Sequence, residues 1–485
     1  MVLTIEPISR VALAASFAGN LIRLNPHIPR EQEDKSNFVR GTTLSYVLAK
    51  SVNMRPSQAI YLDKAEELLP MQNDAEIVVT IPESSRRRRS YIRDNVKSFF
   101  MSPFVMSNEV ISISGWSIPP DISLGGCAQW TEEFVPSGGV SSDHPLITAA
   151  ATFELPISSN TLLFLSRGAI SGGLNVQYGG YGNDVRVTVK ASYRFPEALD
   201  TVDVCIVTRS EGEIGLGIFS SPRSHPSHRR AVLQFAVTVN LPRVEEGSLL
   251  NVKAFETDMP LFIHEIGDLN GFVHFDSISL KTSNLPIRVK SLEAEKASIV
   301  TTNSPIEGEF HTSSSLKLYT SNSPVDVHVT LFNADGGNYT NLDISTSNSA
   351  IKGTLALESA NESRGKFKIF ARTSVSPLQL SFVEAPVDSV LLLDATTSLG
   401  PAAVSLDSTY EGSYTAVTSL QRPSILFNPD VEDPAGKGRK RQMRSSPSRG
   451  PIASGTVRWS DGDDHKKLLG NVNVRTSLAP LTLKI

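Results

Sequence analysis

The sequence predicts a mostly β protein centred on a parallel β-solenoid of stacked rungs, and two observations support this fold class. The first is a phrase close to Thr-Ser-Asn-Ser-Pro-Ile, whose asparagines recur 19, 19 and 26 residues apart at Asn284, Asn303, Asn322 and Asn348. Such spacing is typical of repeat proteins. The second is an alternation of apolar and polar residues on both sides of each asparagine, which is typical of half-buried strands.

The phrase itself predicts the corner between two strands. Serine, threonine and asparagine bond the nearby backbone with short side chains, and proline fixes its own φ, so this composition is typical of a turn. Around Asn284, Ile278 and Leu280 precede the corner, and Ile287 and Val289 follow it. One such unit cannot cover its own apolar face, so the units should stack as parallel rungs about 4.8 Å apart. The four asparagines are therefore predicted to form a structural ladder at the corner.

The residues four positions after each asparagine predict an outward charge column that consists of Arg288, Glu307, Asp326 and Lys352. If the rungs stack in sequence order, Arg288 lies against Glu307 and Asp326 lies against Lys352, which stabilises neighbouring strands by about 0.2 to 1 kcal/mol. Lys290 is likewise expected opposite Glu309. Glu307 beside Asp326 leaves a calcium or catalytic role open. Ion pairing within the column is favoured, and no catalytic residue, cofactor or metal site is predicted.

The first half of the chain is predicted to contain two regions. Residues 1–105 form a mixed helical and loop segment, with helices near 8–23 and 57–69. Residues 106–269 form a β-rich region that leads into the solenoid, because β-branched and alternating runs there are separated by glycine-rich spacers. Glycine pairs such as Gly125-Gly126 and Gly172-Gly173 lack the ending of a phosphate-binding loop and are interpreted as turns.

The second half contains the repeats and one interruption. The solenoid repeats occupy residues 270–427, where the phrase continues in weaker form after Leu355. Residues 428–452 are rich in basic residues, Gly, Ser and Pro, and predict a disordered basic insertion. Residues 453–485 then return as the closing strands of the solenoid, since the phrase recurs from Thr476.

Cysteine content and charge exclude several classes of protein. Two cysteines cannot form a disulfide scaffold or a four-thiolate zinc site, so buried free thiols are favoured for Cys127 and Cys205, with a single bridge as the alternative. A net charge of −4 gives no general attraction to nucleic acid or anionic lipid. No transmembrane segment is predicted. Residues 11–22 fit an amphipathic helix better than a signal peptide, which slightly favours the cytoplasm. The oligomeric state is not predicted.

The iterated phrase followed by alternating apolar residues resembles the adhesin-like β-solenoid domain, a domain of unknown function, in the form found in uncharacterised fungal proteins. The similarity covers about residues 270–420 and the final strand, and the upstream β region and the basic insertion also resemble the fungal form. The resemblance implies a non-enzymatic structural or interaction protein, and it supplies no catalytic residues. A solenoid face would then bind protein or glycan.

Two other functions stay open from the sequence. A β-helix enzyme that acts on polysaccharides would need a groove in which two or three carboxylates converge. A nuclear scaffold would use the basic segments 86–89 and 437–444. Asn338 and Asn361 begin glycosylation sequons, which would be used only if the chain is exported.

Overall fold

A computed structural model describes residues 118–133, 147–220, 233–334, 337–361, 364–446, 450–460 and 469–485. These residues all belong to the unit Val110–Ile485. The helices predicted near 8–23 and 57–69, and the basic segment 86–89, lie outside the described residues. Strands dominate the part that is described, and Pro196–Thr201 forms a short 3₁₀ helix. The mostly β fold class is confirmed.

The first nine strands of the described residues are β1 (Ser123–Cys127), β2 (Thr131–Glu133), β3 (Ile147–Leu155), β4 (Thr161–Arg167), β5 (Ser171–Gly180), β6 (Val185–Tyr193), β7 (Val202–Thr208), β8 (Glu213–Ser220) and β9 (Leu233–Pro242). The next ten are β10 (Leu250–Asp258), β11 (Phe262–Asp268), β12 (Val273–Lys281), β13 (Ile287–Val300), β14 (Ile306–Tyr319), β15 (Val325–Asn333), β16 (Thr340–Ser345), β17 (Ile351–Ser359), β18 (Lys366–Arg372) and β19 (Leu378–Glu384). The last are β20 (Val390–Thr396), β21 (Ala402–Ser405), β22 (Gly412–Val417), β23 (Ser424–Leu426), β24 (Lys440–Ser445), β25 (Ile452–Ser460), β26 (Gly470–Arg475) and β27 (Leu481–Lys484).

Parallel pairing arranges most of these strands in two columns. Column A contains, in spatial order, β8, β4, β10, β12, the second halves of β13 and β14, β16, β18, β20, β26 and β22. Column B contains β9, β5, β11, the first halves of β13 and β14, β15, β17, β19, β21, β27 and β23. A corner joins the two columns within each repeat rung. This pairing has the plan of the predicted solenoid.

The core follows from the alternation in the sequence. Every second residue of β17 is buried, from Ile351 to Ser359, while the residues between them are half-buried or exposed. Aligned registers bring the buried residues of successive rungs together, as Ile287 lies beside Ile306 and Ile306 beside Val325. Full burial of each aliphatic side chain contributes about 1.5 to 3 kcal/mol. The array is therefore stabilised mainly by contacts between rungs.

A buried threonine at the start of most phrases holds the corners in register. The Thr320 hydroxyl donates to the carbonyl oxygen of Ser304 in the neighbouring rung at 3.2 Å. Equivalent bonds join Thr346 to Ser323, Thr373 to Ser349, Thr397 to Ser376 and Thr476 to Gly400. Because a buried hydroxyl without a partner is costly, this threonine favours stacking with a neighbour.

Both ends of the array depart from sequence order. The final strands β26 and β27 lie between rung β20–β21 and rung β22–β23, instead of beyond them. Similarly, β4 and β5 lie between rung β8–β9 and rung β10–β11. Antiparallel strands then extend each end: β7 and β1 beyond β8, β6, β3 and β2 beyond β9, and β25 and β24 beyond β22. Near each end, a rung therefore lies between two others that do not both neighbour it in sequence.

The structure corrects the interpretation of the cysteines. Cys127 of β1 and Cys205 of β7 are directly opposed in an antiparallel pair, and they form a disulfide. The favoured free thiols are therefore wrong, and the single bridge is present. Seventy-eight residues separate the two cysteines in sequence, so their pairing depends on the sheet that brings the strands together.

The glycine pairs are also placed differently from the prediction. Gly172 and Gly173 lie inside β5, and Gly125 and Gly126 lie inside β1, so neither pair forms a turn. A Cβ atom on Gly172 would collide with the carbonyl oxygen of Phe235 on the paired strand β9. Glycine here permits a close approach of two backbones, which is a common role within a strand.

The basic insertion differs from the predicted disorder, because its described residues form turns around a buried carboxylate and continue into strand β24. Asp433 accepts hydrogen bonds from the backbone N–H groups of Ala435, Lys437 and Arg439, and the Arg439 guanidinium donates to it at 2.8 Å. The guanidinium of Arg441 lies 5.7 Å from the Phe427 ring. Composition missed this order because a charge-assisted network replaces an apolar core. Arg439 and Arg441 are buried, which removes them from any basic surface.

Candidate functional site

The outward charge column lies on column B, and it begins earlier than the sequence indicates. Register pairs Asn175 of β5 with Glu265 of β11, Glu265 with Arg288, and Arg288 with Glu307. Arg288 lies between two carboxylates, with its Nη1 3.8 Å from Glu265 and its Nε 3.6 Å from Glu307. Glu265 was missed because no asparagine phrase precedes β11. A carboxylate in the strand before the first repeat was the available signal.

The second part of the column continues from Glu307 through Asp326 to Lys352. Lys352 Nζ lies 3.0 Å from Asp326 Oδ2, while Glu307 and Asp326 are register partners. Each carboxylate of the like-charged pair therefore has a cation on its other side. All these side chains are about half exposed, so each ion pair contributes at most about 1 kcal/mol.

Lys290 does not continue the register that the sequence predicts. The pairing of β13 with β14 shifts between Val289 and Leu292, which displaces Lys290 from a simple position opposite Glu309. Glu309 pairs in register with His328 of β15, and its carboxylate lies 3.2 Å from His311 Nε2. A bulge re-aims side chains locally, and this one opens the outer face of β13.

A groove of about 650 Å³ lies at this irregularity. Its polar lining comes from β5, β11, β13 and β14, and consists of Asn175, Gln177, Glu265, Asp268, Arg288, Lys290 and Glu307. Arg288 and Glu307 are thus brought into the groove, whereas Asp326 and Lys352 lie along the column outside its lining. The asparagine ladder lies at the corner and is not part of the lining.

Two glycines shape the groove, Gly267 and Gly308. Gly308 has a φ of +144°, and a Cβ atom there would collide with the carbonyl oxygen of Val289. A Cβ atom on Gly267 would lie 3.0 Å from the carbonyl oxygen of Val176. The glycines therefore allow the strands to approach closely, and they leave space where other rungs carry a side chain.

Aromatic residues stand at one side of the groove. Tyr178 lines it, and the Tyr178 hydroxyl accepts a hydrogen bond from the backbone N–H of Val244 at 3.2 Å. Its ring stacks on Phe272 with the centroids 5.2 Å apart, and 48% of Phe272 is exposed. The groove therefore combines an aromatic surface with amides, carboxylates and cations.

The remaining groove carboxylate, Asp268, is held by a neighbouring hydroxyl. Ser291 is buried and donates a hydrogen bond from Oγ to Asp268 Oδ1. Glu265, Asp268 and Glu307 thus line the same groove, but each has a partner already within the protein. Among the described residues, no group of three or more His, Cys, Asp or Glu side chains is placed to hold a metal ion.

The residue before Glu265 in β11 is a buried histidine, which anchors this part of the strand in the core. His264 Nε2 lies 2.8 Å from Thr257 Oγ1, and Nδ1 lies 3.1 Å from the carbonyl oxygen of Phe262. Burial lowers the pKa of His264 to about 4, so the ring is neutral near pH 7. A neutral, bonded imidazole in the core supports the strand and does not reach the groove.

At the corner, the four asparagines form a continuous chain of side-chain hydrogen bonds. Nδ2 of Asn303 donates to Oδ1 of Asn284 at 2.7 Å, Asn322 donates to Asn303 at 2.7 Å, and Asn348 donates to Asn322 at 2.6 Å. These side chains are exposed. Since the amides bond one another along the ladder, they stabilise the corner and present an ordered polar edge to solvent.

Comparisons with known proteins give a distant likeness among solved structures. No protein-family model and no curated protein sequence matches the chain. A crystal structure of a "putative cell adhesion protein" from Clostridium sporogenes ATCC 15579 is similar to 69% of this chain and 98% of its own, with 11% identity and a TM-score of 0.14. Similarity this low carries no argument about function. In the part of the chain that the structure describes, no helix is long and apolar enough to cross a membrane.

Proposed function

We propose that this chain is a non-enzymatic, adhesin-like β-solenoid protein that binds an extended glycan in the groove on the outer face of column B. The observation that carries the proposal is the groove itself, which joins the half-buried Tyr178 and the exposed Phe272 stacked on it to a row of amides and paired charges. The polar groups lie across four parallel strands, with the charges on three of them, so a linear ligand could follow them for several rungs.

The chemistry of the lining supports a glycan over a protein partner. Carboxylates, amides and cations can bond vicinal hydroxyl groups, and the Tyr178–Phe272 pair offers an apolar face on which a sugar ring can stack. The aliphatic residues of the lining, Ile266 and Val289, are buried, so they offer little surface to the apolar anchor of a typical protein interface. Glu265, Arg288 and Glu307 are about half exposed, which suits a polar, hydrated ligand.

An exported location accords with this proposal. The Cys127–Cys205 disulfide is of a kind that forms and persists in oxidising compartments. Asn338, which begins a sequon, is exposed in the connection between β15 and β16. These two features weigh against the cytoplasmic location that the sequence slightly favours.

Glycan binding can be tested with two matched variants of the same charge column. Arg288→Gln removes the cation at the centre of the groove, whereas Lys352→Gln removes a cation of the same column outside its lining. On an array of neutral and acidic oligosaccharides, the wild-type chain should bind a subset, and Arg288→Gln should weaken that binding about ten-fold. Lys352→Gln should bind as the wild type does. Binding to no glycan, or equal loss in both variants, would reject the proposal.

A polysaccharide-active enzyme is the second candidate, because Glu265, Asp268 and Glu307 line one groove. The Arg288 guanidinium lies between two of these acids and Ser291 bonds the third, so none is free to act as the proton donor that glycoside cleavage requires. The distinguishing measurement is release of reducing ends from every polysaccharide that the chain binds. If reducing ends are released and Glu307→Gln abolishes this release, the protein is an enzyme and the binding proposal is wrong.

A further inference from the structure

The corner changes chemistry in the later rungs. Where earlier phrases carry asparagine, the later ones carry aliphatic residues, here called the aliphatic stripe, which in spatial order are Val375, Leu399, Leu478 and Leu420. Their exposed fractions are 39%, 45%, 54% and 69%. Exposed leucine on one rung is ordinary, but four adjacent rungs form a continuous apolar edge.

Backbone hydrogen bonds show that these corners are direct neighbours. Ser398 N–H donates to the carbonyl oxygen of Ser374, Ser477 to Ser398, and Ser419 to Ser477, at 3.0 to 3.2 Å. The intercalation of β26–β27 between β20–β21 and β22–β23 therefore places Leu478 between Leu399 and Leu420 in space. At about 4.8 Å for each rung, the stripe extends for roughly 14 Å.

Apolar residues beside the stripe widen it. Exposed prolines follow three of the corners, at Pro377, Pro401 and Pro480. Ile452 is half exposed and lies opposite Val417, next to the last corner. Together these side chains expose on the order of 500 Å² of apolar surface, a size at which a patch on a monomer often has a function.

Charge is distributed unequally on the two sides of the stripe. On the column A side, the register positions next to the corners are occupied by Arg372, Thr396, Arg475 and Val417. On the column B side, the corresponding positions carry Gln379, Ala403, Thr482 and Ser424, which are uncharged. No acidic residue stands at these positions, so a basic partner finds no complementary charge here.

We propose that the aliphatic stripe is the interface between two copies of this chain, related by a two-fold axis parallel to the stripe. This axis places the arginines of each copy against the uncharged column B side of the other, whereas an axis perpendicular to the stripe would bring arginines against arginines. Each leucine then meets the same leucine of the partner, which makes the surface self-complementary.

The area of the aliphatic stripe is consistent with a second copy of this chain as the partner. A standard interface buries roughly 800 Å² on each partner, and the aliphatic stripe with its apolar neighbours, at on the order of 500 Å², could supply the larger part of that area. Attachment to an anionic lipid surface would need many basic residues around the apolar edge, and the flanking positions contain two. The proposal is independent of the groove on column B, because the stripe lies at the corner.

The test measures the mass of the full chain by sedimentation velocity over a concentration series. Leu399→Asn combined with Leu478→Asn introduces the residue that the same chain carries at its earlier corners, so the rungs should still fold. The control combines Leu249→Asn with Val383→Asn, which are also at least half exposed but lie away from the corner. We expect a dimer for the wild type and the control, and dissociation at least about ten-fold stronger for the corner variant.

A cysteine variant tests the geometry. The chain has two cysteines, and both are in the disulfide. Val375→Cys should therefore cross-link to itself under mild oxidation, since the proposed axis brings Val375 of the two copies together. A monomeric wild type up to about 100 μM, equal dissociation in the control, or failure to cross-link would overturn the proposal. If instead a monomeric chain binds phosphatidylglycerol vesicles, and this binding requires Leu399 and Leu478, the stripe is a lipid-binding surface and the dimer proposal is wrong.

Discussion

The stacked corners form one edge of the solenoid, and its first and second halves differ in the third residue of a shared phrase. In the first half, Asn284 to Asn348 bond one another and form a polar edge. In the second half, Val375 to Leu420 occupy the same position and form an apolar edge. A buried threonine that bonds the neighbouring rung and similar backbone bonds occur in both, except that Thr418 donates to Gln421 of its own segment. The difference teaches that the threonine and the flanking strands build the rung, while the third residue of the phrase is free to set the surface chemistry.

This division separates stability from recognition along one edge. An asparagine that donates to one neighbour and accepts from the next leaves few polar atoms for a ligand. A leucine at the same position makes no side-chain hydrogen bond to its neighbours and exposes apolar area to solvent. The polar half is therefore suited to remain solvated, and the aliphatic half is suited to be covered.

The largest expected effect tests whether both halves depend on the same core. Ile306→Asp in the polar half and Leu378→Asp in the aliphatic half each place a charge at a fully buried position of column B. Burial of an unpaired carboxylate costs more than about 4 kcal/mol, so both variants should lose cooperative thermal unfolding near the wild-type temperature. Gln379→Asp changes an exposed neighbour and should melt like the wild type. Normal melting of either buried variant would contradict the stacked core.

The next effect concerns Asp433 in the turn that precedes β24. The Arg439 guanidinium, with three backbone N–H groups, holds the pKa of Asp433 well below its usual range. A lowered pKa means that this carboxylate stabilises the fold above its ordinary pKa of about 3.9, and that the contribution is lost as the pH falls below that value.

Asp433→Asn should therefore lower stability at pH 7 by about 3 kcal/mol, because it leaves the buried Arg439 with a weaker partner. The measurement is urea unfolding at pH 7 and pH 3.5, and the variant should lose less stability between the two than the wild type. Asp430→Asn alters an exposed carboxylate of the same segment and should keep the wild-type pH dependence. An unchanged acid response in Asp433→Asn would show that other carboxylates dominate it.

The sequence predicted the rungs best where the repeat is strictly local. Alternation around Asn303 sets which residues of β13 and β14 face the core, so the meeting of Arg288 with Glu307 could be predicted from spacing. The groove could not be predicted, because Asn175 and Tyr178 come from β5, roughly ninety residues before β11, and intercalation of that rung brings them together. The Cys127–Cys205 bridge was only the alternative interpretation, because the strands that bring the two cysteines together are likewise distant in sequence.

Composition failed in a different way at residues 428–446. The segment contains few apolar residues, which is typical of disorder, yet one buried carboxylate bonds three backbone N–H groups and an arginine. A charge is expensive to bury and therefore rarely expected inside a fold, but several matched partners offset the cost. A prediction of order from apolar content alone therefore does not detect a buried, hydrogen-bonded carboxylate of this kind.

A smaller effect measures the polar ladder itself. Asn303→Leu removes two side-chain hydrogen bonds, to Asn284 and from Asn322. Because the side chains are exposed and water replaces part of each bond, the loss should be about 1 kcal/mol in urea unfolding. Asn284→Leu is the matched comparison, since this residue ends the ladder and takes part in one of its bonds. Its loss should be about half as large, and equal stability of both variants to the wild type would show that the ladder contributes nothing.

The smallest effect converts the aliphatic half into the polar one. The triple variant Val375→Asn, Leu399→Asn and Leu478→Asn continues the ladder from Asn348 across three further corners, whose backbone bonds already match those of the first half. Each new bond should contribute a few tenths of a kcal/mol, so the melting temperature of the monomer should rise by about 1 to 2 °C. The same change removes the apolar edge and should abolish self-association. A variant that melts lower as a monomer would mean that the aliphatic residues stabilise their own corners, and the separation of the two halves into stability and recognition would then fail.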